Sequence, residues 1–430
     1  MRYWTAILML LLAHALPGSE PICTGEDSDS ATTDSLFDPG GASATHDTDD
    51  GSRFSVGTPA IGSWTDGDGS LRESTVFQRT QLTGRWWGAR DALEERGVTL
   101  DVSATEFYQG VTAGGIEQEF AFAGRNDYLL KWDAEKAGLW NGLYINLHGE
   151  TRFGNDINDA SGAFLAPPNI AMLFPLPSGT VTALTAAKAS QYVTESLVVY
   201  AGKFNMLDEL VQPFGAGRGV DAFMNTGLVF PVVLDRTVPY STLGAGMSVM
   251  QGDRAVFTLM VIDTHNTPTT SGFESLFTNG VTLLSKIDIP VTIGGLPGHQ
   301  GVEATYSTGL YTSLATIPYI DAEGLPSLAF GTAQGSWSVF YAADQALYVD
   351  PANPARSWGV FTNIGLADQD PSPIRWSASF GLAGSSPWRA RPLDRFGIGY
   401  SLAAPSAPLR SQFSPSLPLG TDHAVELFYN

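Results

Sequence analysis

The stretch Leu143-Tyr-Ile-Asn-Leu-His-Gly-Glu-Thr-Arg-Phe153 alternates apolar and polar side chains almost without interruption. Side chains of a strand point to opposite faces in turn, so Leu143, Ile145, Leu147 and Phe153 share one face. Tyr144, Asn146, His148, Glu150 and Arg152 share the other. The same phrase, ended each time by a break rich in Gly, Pro, Asp or Asn, recurs from about Val98 to the last residue. A period of two calls for sheets with one apolar and one polar face. A tilted strand needs about 9–11 residues to cross a bilayer, which is the length of the phrase. The pattern alone admits a transmembrane barrel, a secreted β-sandwich or a surface adhesin.

After the N-terminus no apolar run reaches about 18 residues, so no helix spans a membrane. A closed barrel is then the only spanning solution, because backbone facing lipid must be hydrogen-bonded internally. With 16% charged and 11% aromatic residues, 47 glycines and 26 prolines, the chain has the balance of an all-β, turn-rich fold. The alternation predicts fourteen strands, at 98–108, 125–136, 139–153, 180–192, 194–205, 241–251, 254–263, 279–288, 300–312, 334–344, 356–367, 374–384, 394–404 and 422–430. Breaks such as Gly138 and Val193-Thr194 are tight, whereas Gly154–Gly179 and Leu207–Tyr240 are long. Short turns at one end and long loops at the other mark outer-membrane barrels.

Aromatic and aliphatic residues gather on one face: Trp337, Val339 and Tyr341; Trp358, Val360, Ile364 and Leu366; Trp376, Ala378, Phe380 and Leu382; Phe396, Ile398, Tyr400 and Leu402. The opposite faces hold Ser336, Ser338, Asn363, Ser377, Ser379, Arg395 and Ser401. An interior built from these small polar residues is expected to hold water rather than a packed core.

The N-terminal part reads differently. Arg2, the apolar run Tyr3–Leu12 and Ala13-His14-Ala15 fit an export signal over residues 1–15, with the mature chain starting near Leu16. Residues 16–80 carry twelve acids against three arginines and little apolar content, which predicts an acidic, low-complexity, disordered linker. Asp66, Asp68 and Ser70 begin a calcium-loop spacing, but Leu71 stands at its turn position and Phe77 where a bidentate Glu belongs. Cys23 is the only cysteine, so no intrachain disulfide or cysteine zinc site forms, and Glu20-Pro21-Ile22 does not match a lipid-attachment box. In the segment 81–97, good helix formers and a Gly stop predict a short helix from Gly88 to Arg96 that leads into the barrel region, 98–430.

A net charge of −21 argues against nucleic acid as a partner. The six histidines show no metal-ligand spacing, and no nucleophile elbow occurs in a strand-to-helix context, so neither an enzyme nor a metal or other cofactor is expected. The residues with chemical interest are inward-facing: Lys131, Glu150, Arg152 and Lys203 offer charge and hydrogen bonds to a permeant solute, His148 shares their face, and Tyr144 offers a ring to stack on a sugar. Each reads equally as a solvated lumen residue. The 154–179 loop, with Phe164, Pro167, Pro168 and Phe174, either folds inward to narrow a pore or packs against its neighbours outside. Asn225 reads as a turn anchor.

Leu82-Thr-Gly-Arg-Trp-Trp-Gly-Ala-Arg-Asp-Ala-Leu-Glu-Glu-Arg-Gly-Val-Thr-Leu-Asp101 resembles the opening of the carbohydrate-selective porins of the OprB type, with Trp87 where the family has Gly and Arg85 where it has an acid. Tyr200-Ala-Gly-Lys-Phe-Asn205 with Asp208, Phe223-Met-Asn225, Pro239-Tyr-Ser-Thr-Leu-Gly244 and Arg395-Phe-Gly-Ile-Gly-Tyr400 resemble later family motifs in the same order. The resemblance implies an outer-membrane β-barrel of about sixteen strands, exported by its signal peptide and bathed in lipid, that passes sugars by diffusion and can form a homo-oligomer. It also implies a constriction of arginines and acids, to which Lys203 and Asp208 belong by motif. Family members carry one or two strands beyond a stretch like Glu426–Asn430, so either further strands or closure with fewer is expected. The alternative is a secreted or surface-anchored β-rich carbohydrate-binding protein without transport.

Overall fold

The computed structural model describes residues 83–430 apart from 178, 211, 216, 321–325, 389, 390, 392 and 414–417. The expected export signal and acidic linker lie outside the described residues. Fourteen strands form one antiparallel sheet in chain order. They are β1 (Val98–Gly110), β2 (Phe120–Asp133), β3 (Leu143–Gly154), β4 (Val181–Thr194), β5 (Leu197–Asn205), β6 (Ser241–Gln251) and β7 (Arg254–Asp263). Then follow β8 (Val281–Ile293), β9 (Leu296–Ile320), β10 (Pro326–Asp350), β11 (Asn353–Ala367), β12 (Ile374–Ser385), β13 (Arg395–Pro405) and β14 (Asp422–Tyr429). Helix α1 (Ala89–Glu94) precedes β1.

The alternation located every strand, but not every end. β2 starts at Phe120, ahead of the expected 125, and β9 and β10 run to 25 residues each. Register shifts at Phe330/Thr332 and Gln334/Ser336 explain the second difference: each bulge resets the two-residue period while the pairing of the strands continues.

The connections 195–196, 252–253, 294–295 and 351–352 are tight and lie at one end, while 155–180, 206–240, 264–280 and 406–421 lie at the other. Gly294 and Gly295, at φ +62° and +79°, supply the two left-handed positions that a two-residue hairpin turn requires. Phe380, Ile364, Leu366 and Ile398 are exposed on the outer face, as their alternation predicts.

The sheet wraps around a segment of its own chain. Residues 206–240, between β5 and β6, fold inward, and Phe223, Leu228, Val233 and Leu234 are fully buried. Val232, Val233 and Leu234 pack with Phe204, Phe340, Ala367, Ile374 and Ala403, while Phe223 and Leu228 pack with Phe361 and Ala383. Inner-face glycines make room: a Cβ on Gly365 would lie 2.4 Å from Val233, and one on Gly399 would lie 2.7 Å from Leu228. The expectation of a merely water-filled interior is corrected here. The small side chains leave space that the inward segment fills, with Ser338 bonded to Thr237 at 3.1 Å and Ser401 to Asn225 at 3.0 Å.

Met224 of this segment meets Gln109 of β1 through its sulfur, and its backbone N–H donates to Glu426 of β14 at 2.8 Å. One residue thus touches both terminal strands, so the sheet curls far enough to face β1 and β14 toward a common centre. Among the described residues no strand ladder joins those two strands.

The connection 155–180 also folds inward, one of the two arrangements its sequence allowed. Ile170, Ala171 and Met172 are buried, Ile170 N donates to Met224 O at 2.9 Å, and Phe174 stacks on Tyr240 at 4.2 Å. Asn225 does anchor a turn: its side chain accepts from Gly227 N at the start of helix α2 (Thr226–Val229) and donates to Ala166 O. Helix α3 (Ala407–Phe413), which the alternation did not reveal, sets Leu409 and Phe413 against Leu314 of β9.

Candidate functional site

Where the inward segment meets the β2–β5 wall, the contact is ionic. Asp127 on β2 and Arg125 two residues earlier point inward together, and Arg125 donates to Asp127 Oδ1 at 2.9 and 2.7 Å through Nε and Nη2. Nη2 also reaches Glu150 Oε1 on β3 at 3.0 Å, because the antiparallel register sets Asp127 opposite Glu150. His148, again two residues away on the same face, places Nε2 2.9 Å from Asp127 Oδ1 and Nδ1 2.6 Å from Asp208 Oδ2. A neutral imidazole has one N–H, so between two ionised carboxylates both contacts are hydrogen bonds only in the imidazolium form. Arg218, from the inward segment, donates to Asp208 at 3.3 Å.

Glu150 is the centre of the neutral bonds as well. Its oxygens accept from Asn205 Nδ2 at 2.7 Å, from Tyr240 OH at 2.6 Å and from Thr185 Oγ1 at 3.1 Å. Arg125, Asp127, His148 and Glu150 are each at most 1% exposed. With His148 protonated, three carboxylates face three cations, a balance that buried charges require. Burial opposes ionisation of Asp208, but His148 and Arg218 outweigh it and hold the carboxyl below the usual carboxylate range. Burial and the neighbouring Glu150 push the Tyr240 phenol well above its ordinary value, so it remains a donor.

Asp127, His148 and Glu150 offer ligand atoms within 4.8 Å of one another, a spacing open to a metal ion. The same oxygens, Asp127 Oδ1 and Glu150 Oε1, already carry the Arg125 guanidinium. A cation therefore occupies the position a metal would take. Two atoms in the network are buried without a partner, Arg125 Nη1 and Asp127 Oδ2.

Of the residues singled out by sequence, His148, Glu150 and Asp208 come together here. Lys203 lies on β5, where Nζ donates to the carbonyls of Leu184, Pro268 and Thr270 and so ties down the 264–280 connection. Arg152 pairs with Asp156 and donates to Pro177 O, at the two ends of the 155–180 connection. Lys131 shares the inner face of β2 near the 134–142 connection, opposite Asn146, and Tyr144 packs edge-on against Tyr192 at 5.6 Å at the same end. Sequence reading missed Arg125, Asp127, Arg218 and Tyr240. The first two were legible, since they alternate with Lys131; the others sit in an irregular segment without a period.

A polar inner wall, an apolar outer wall and an inward segment pinned by ions describe a constricted barrel. The sequence profile of the carbohydrate-selective porin, OprB family, matches residues 117–430. This chain belongs to that family. The OprB-family fold is also seen in the high-pH structure of Pseudomonas putida OprB, which is 18% identical, with a TM-score of 0.67 over 82% of this chain and 89% of that one. The low-pH structure of the same protein is 16% identical, with a TM-score of 0.48 over 81% of this chain and 87% of that one. No curated protein matches the chain.

Proposed function

We propose that this OprB-family chain is an outer-membrane channel through which sugars diffuse passively, without turnover. The observation that carries the reading is the inward segment 206–240, held across the lumen by ions on one side and by apolar packing on the other. Such a segment narrows a barrel to a selective passage. In this reading the buried Arg125 and Asp127 hold the inward segment against the wall and set the width of the passage without touching the solute. His148, Glu150 and Asp208 fix their geometry. Arg152 and Lys203 hold the flanking loops, while Lys131 and Tyr144 line the approach from the short-turn end. The apolar outer face contacts lipid.

Liposomes carrying the purified chain should swell in isosmotic glucose, and planar bilayers should show discrete conductance steps. A protein that binds sugar yet gives neither swelling nor conductance would be a surface binder instead. Arg125→Ala, which removes the guanidinium shared by Asp127 and Glu150, should alter ion selectivity; identical selectivity would remove the network from control of the passage.

A further inference from the structure

At mid-strand the outer face exposes Val261 on β7, Ile287 on β8, Phe380 on β12 and Ile398 on β13, all apolar. On β1–β4 the same face is polar. Phe107 packs inward on Met172 and Gln109 reaches Met224, so the exposed Glu106 between Thr105 and Phe107 points outward. Asn126 points outward between the inward Arg125 and Asp127, as does Thr151 between the inward Glu150 and Arg152. Register aligns Ala104, Asn126, Thr151 and the exposed Thr182 in one row across the four strands. Tyr128 OH lies 3.2 Å from Thr151 Oγ1, which lies 2.9 Å from Thr182 Oγ1. Among the described residues the Glu106 carboxylate and the Asn126 amide have no side-chain partner.

The depth of this row decides what it can meet. Phe122 on β2, exposed and paired with the exposed Tyr108, stands at the long-loop end, and Trp132 stands at the short-turn end of the same outer face. The ten residues from Phe122 to Trp132, at about 3.3 Å each and a tilt of about 40°, span roughly 25 Å, the height of the apolar band between the two aromatic girdles of a barrel. Glu106 lies two residues inside Tyr108, and Asn126 four inside Phe122. Both therefore sit below the ring level, where lipid headgroups do not reach. A charged residue at such a depth is costly against hydrocarbon and signals a polar partner.

We infer that the outer face of β1–β4 is an interface with a second copy of this chain, hydrogen-bonded through Glu106, Asn126 and Thr182. The face is self-complementary: it carries an acceptor in the Glu106 carboxylate and donors in the Asn126 amide and the Thr182 hydroxyl. A two-fold contact between identical faces satisfies both sets at once, because each residue i that meets j is matched by j meeting i. Polar side chains of this kind join packed elements within membranes. The inference rests on the outer-membrane reading, and its test separates from that of the channel.

The experiment is sedimentation equilibrium of the full chain in detergent micelles. Wild type should associate, and Glu106→Leu and Asn126→Leu should each weaken association about tenfold or more, the size expected for a hydrogen bond to a charged group or its equivalent. Unshifted heat-modifiable migration shows that the barrel of each variant is folded. In liposomes, with Cys23→Ser as background, a short bis-maleimide should link Ala104→Cys into dimers and leave Ile287→Cys, on another wall, single. A wild type that stays monomeric, or is bound to a different polypeptide, overturns the proposal; so do unchanged association in both leucine variants and equal linking at the two cysteine positions. Conductance reports on the channel reading alone: a dimer without conductance keeps the interface and sinks the channel, and a conducting monomer does the reverse.

Discussion

At the residue scale, Glu150 carries the most, because one carboxylate serves Arg125, Asn205, Tyr240 and Thr185. Glu150→Ala leaves a guanidinium and three neutral donors without their acceptor inside the barrel. Removing one partner of a buried ion pair costs about 3–5 kcal/mol. The temperature at which heat-modifiable migration is lost should fall accordingly, more than for alanine at the partly exposed Lys188. Glu150 and His148 were legible in the sequence, since a period of two puts both on the polar face of one strand. Their partners Arg218 and Tyr240 were not, because nothing periodic relates an inward loop to the wall it touches. Asp208 adds a pH dependence. Its carboxyl titrates below the ordinary value near pH 3.9. A lowered folded value stabilises above the unfolded one and is lost as pH falls through the folded one. The part of the conductance that depends on Asp208, read as wild type minus Asp208→Asn, should therefore be flat from neutral pH to about pH 5 and change only below about pH 4. Asp208→Asn should remove that acid step while leaving any step due to His148.

At the scale of elements, the strands were readable because each has one apolar outer face and one face against the interior, and alternation survives wherever the two surroundings differ. The inward segment obeys no such rule. Its place is written instead in the inner-face glycines of β11 and β13, which read in sequence as turn punctuation but act as hollows. Gly365 shows this most directly, since a Cβ there would meet Val233 at 2.4 Å and Phe340 at 3.0 Å. Gly365→Val should destabilise by about 1–3 kcal/mol, the usual cost of overpacking, and should expose segment 206–240 to limited proteolysis while the strands stay protected. Glu426 fixes the other end: its carboxylate accepts from the N–H groups of Met224 and Asn225 at 2.8 and 2.9 Å. Proteolysis confined to the strands in Gly365→Val would show that the segment does not depend on this seat.

For the whole molecule, two patterns on the same strands have opposite solvents, and a substitution tests which solvent a position meets. Phe380 sits mid-strand on β12, 52% exposed, flanked by Thr362 and Tyr400 in register. Were the outer face wet, as on a soluble sandwich, arginine there would be nearly neutral, because surface substitutions rarely exceed half a kcal/mol or so. Facing hydrocarbon, an arginine near the bilayer midplane costs about 2–4 kcal/mol. Phe380→Arg should therefore lower the unfolding free energy from urea titration in phospholipid vesicles by that amount, with a lower midpoint, while Phe380→Leu, which keeps an apolar outer contact, should stay close to wild type. Equal midpoints for the arginine and leucine variants would place this face in water and return the chain to the soluble β-rich alternatives that the alternation by itself allowed.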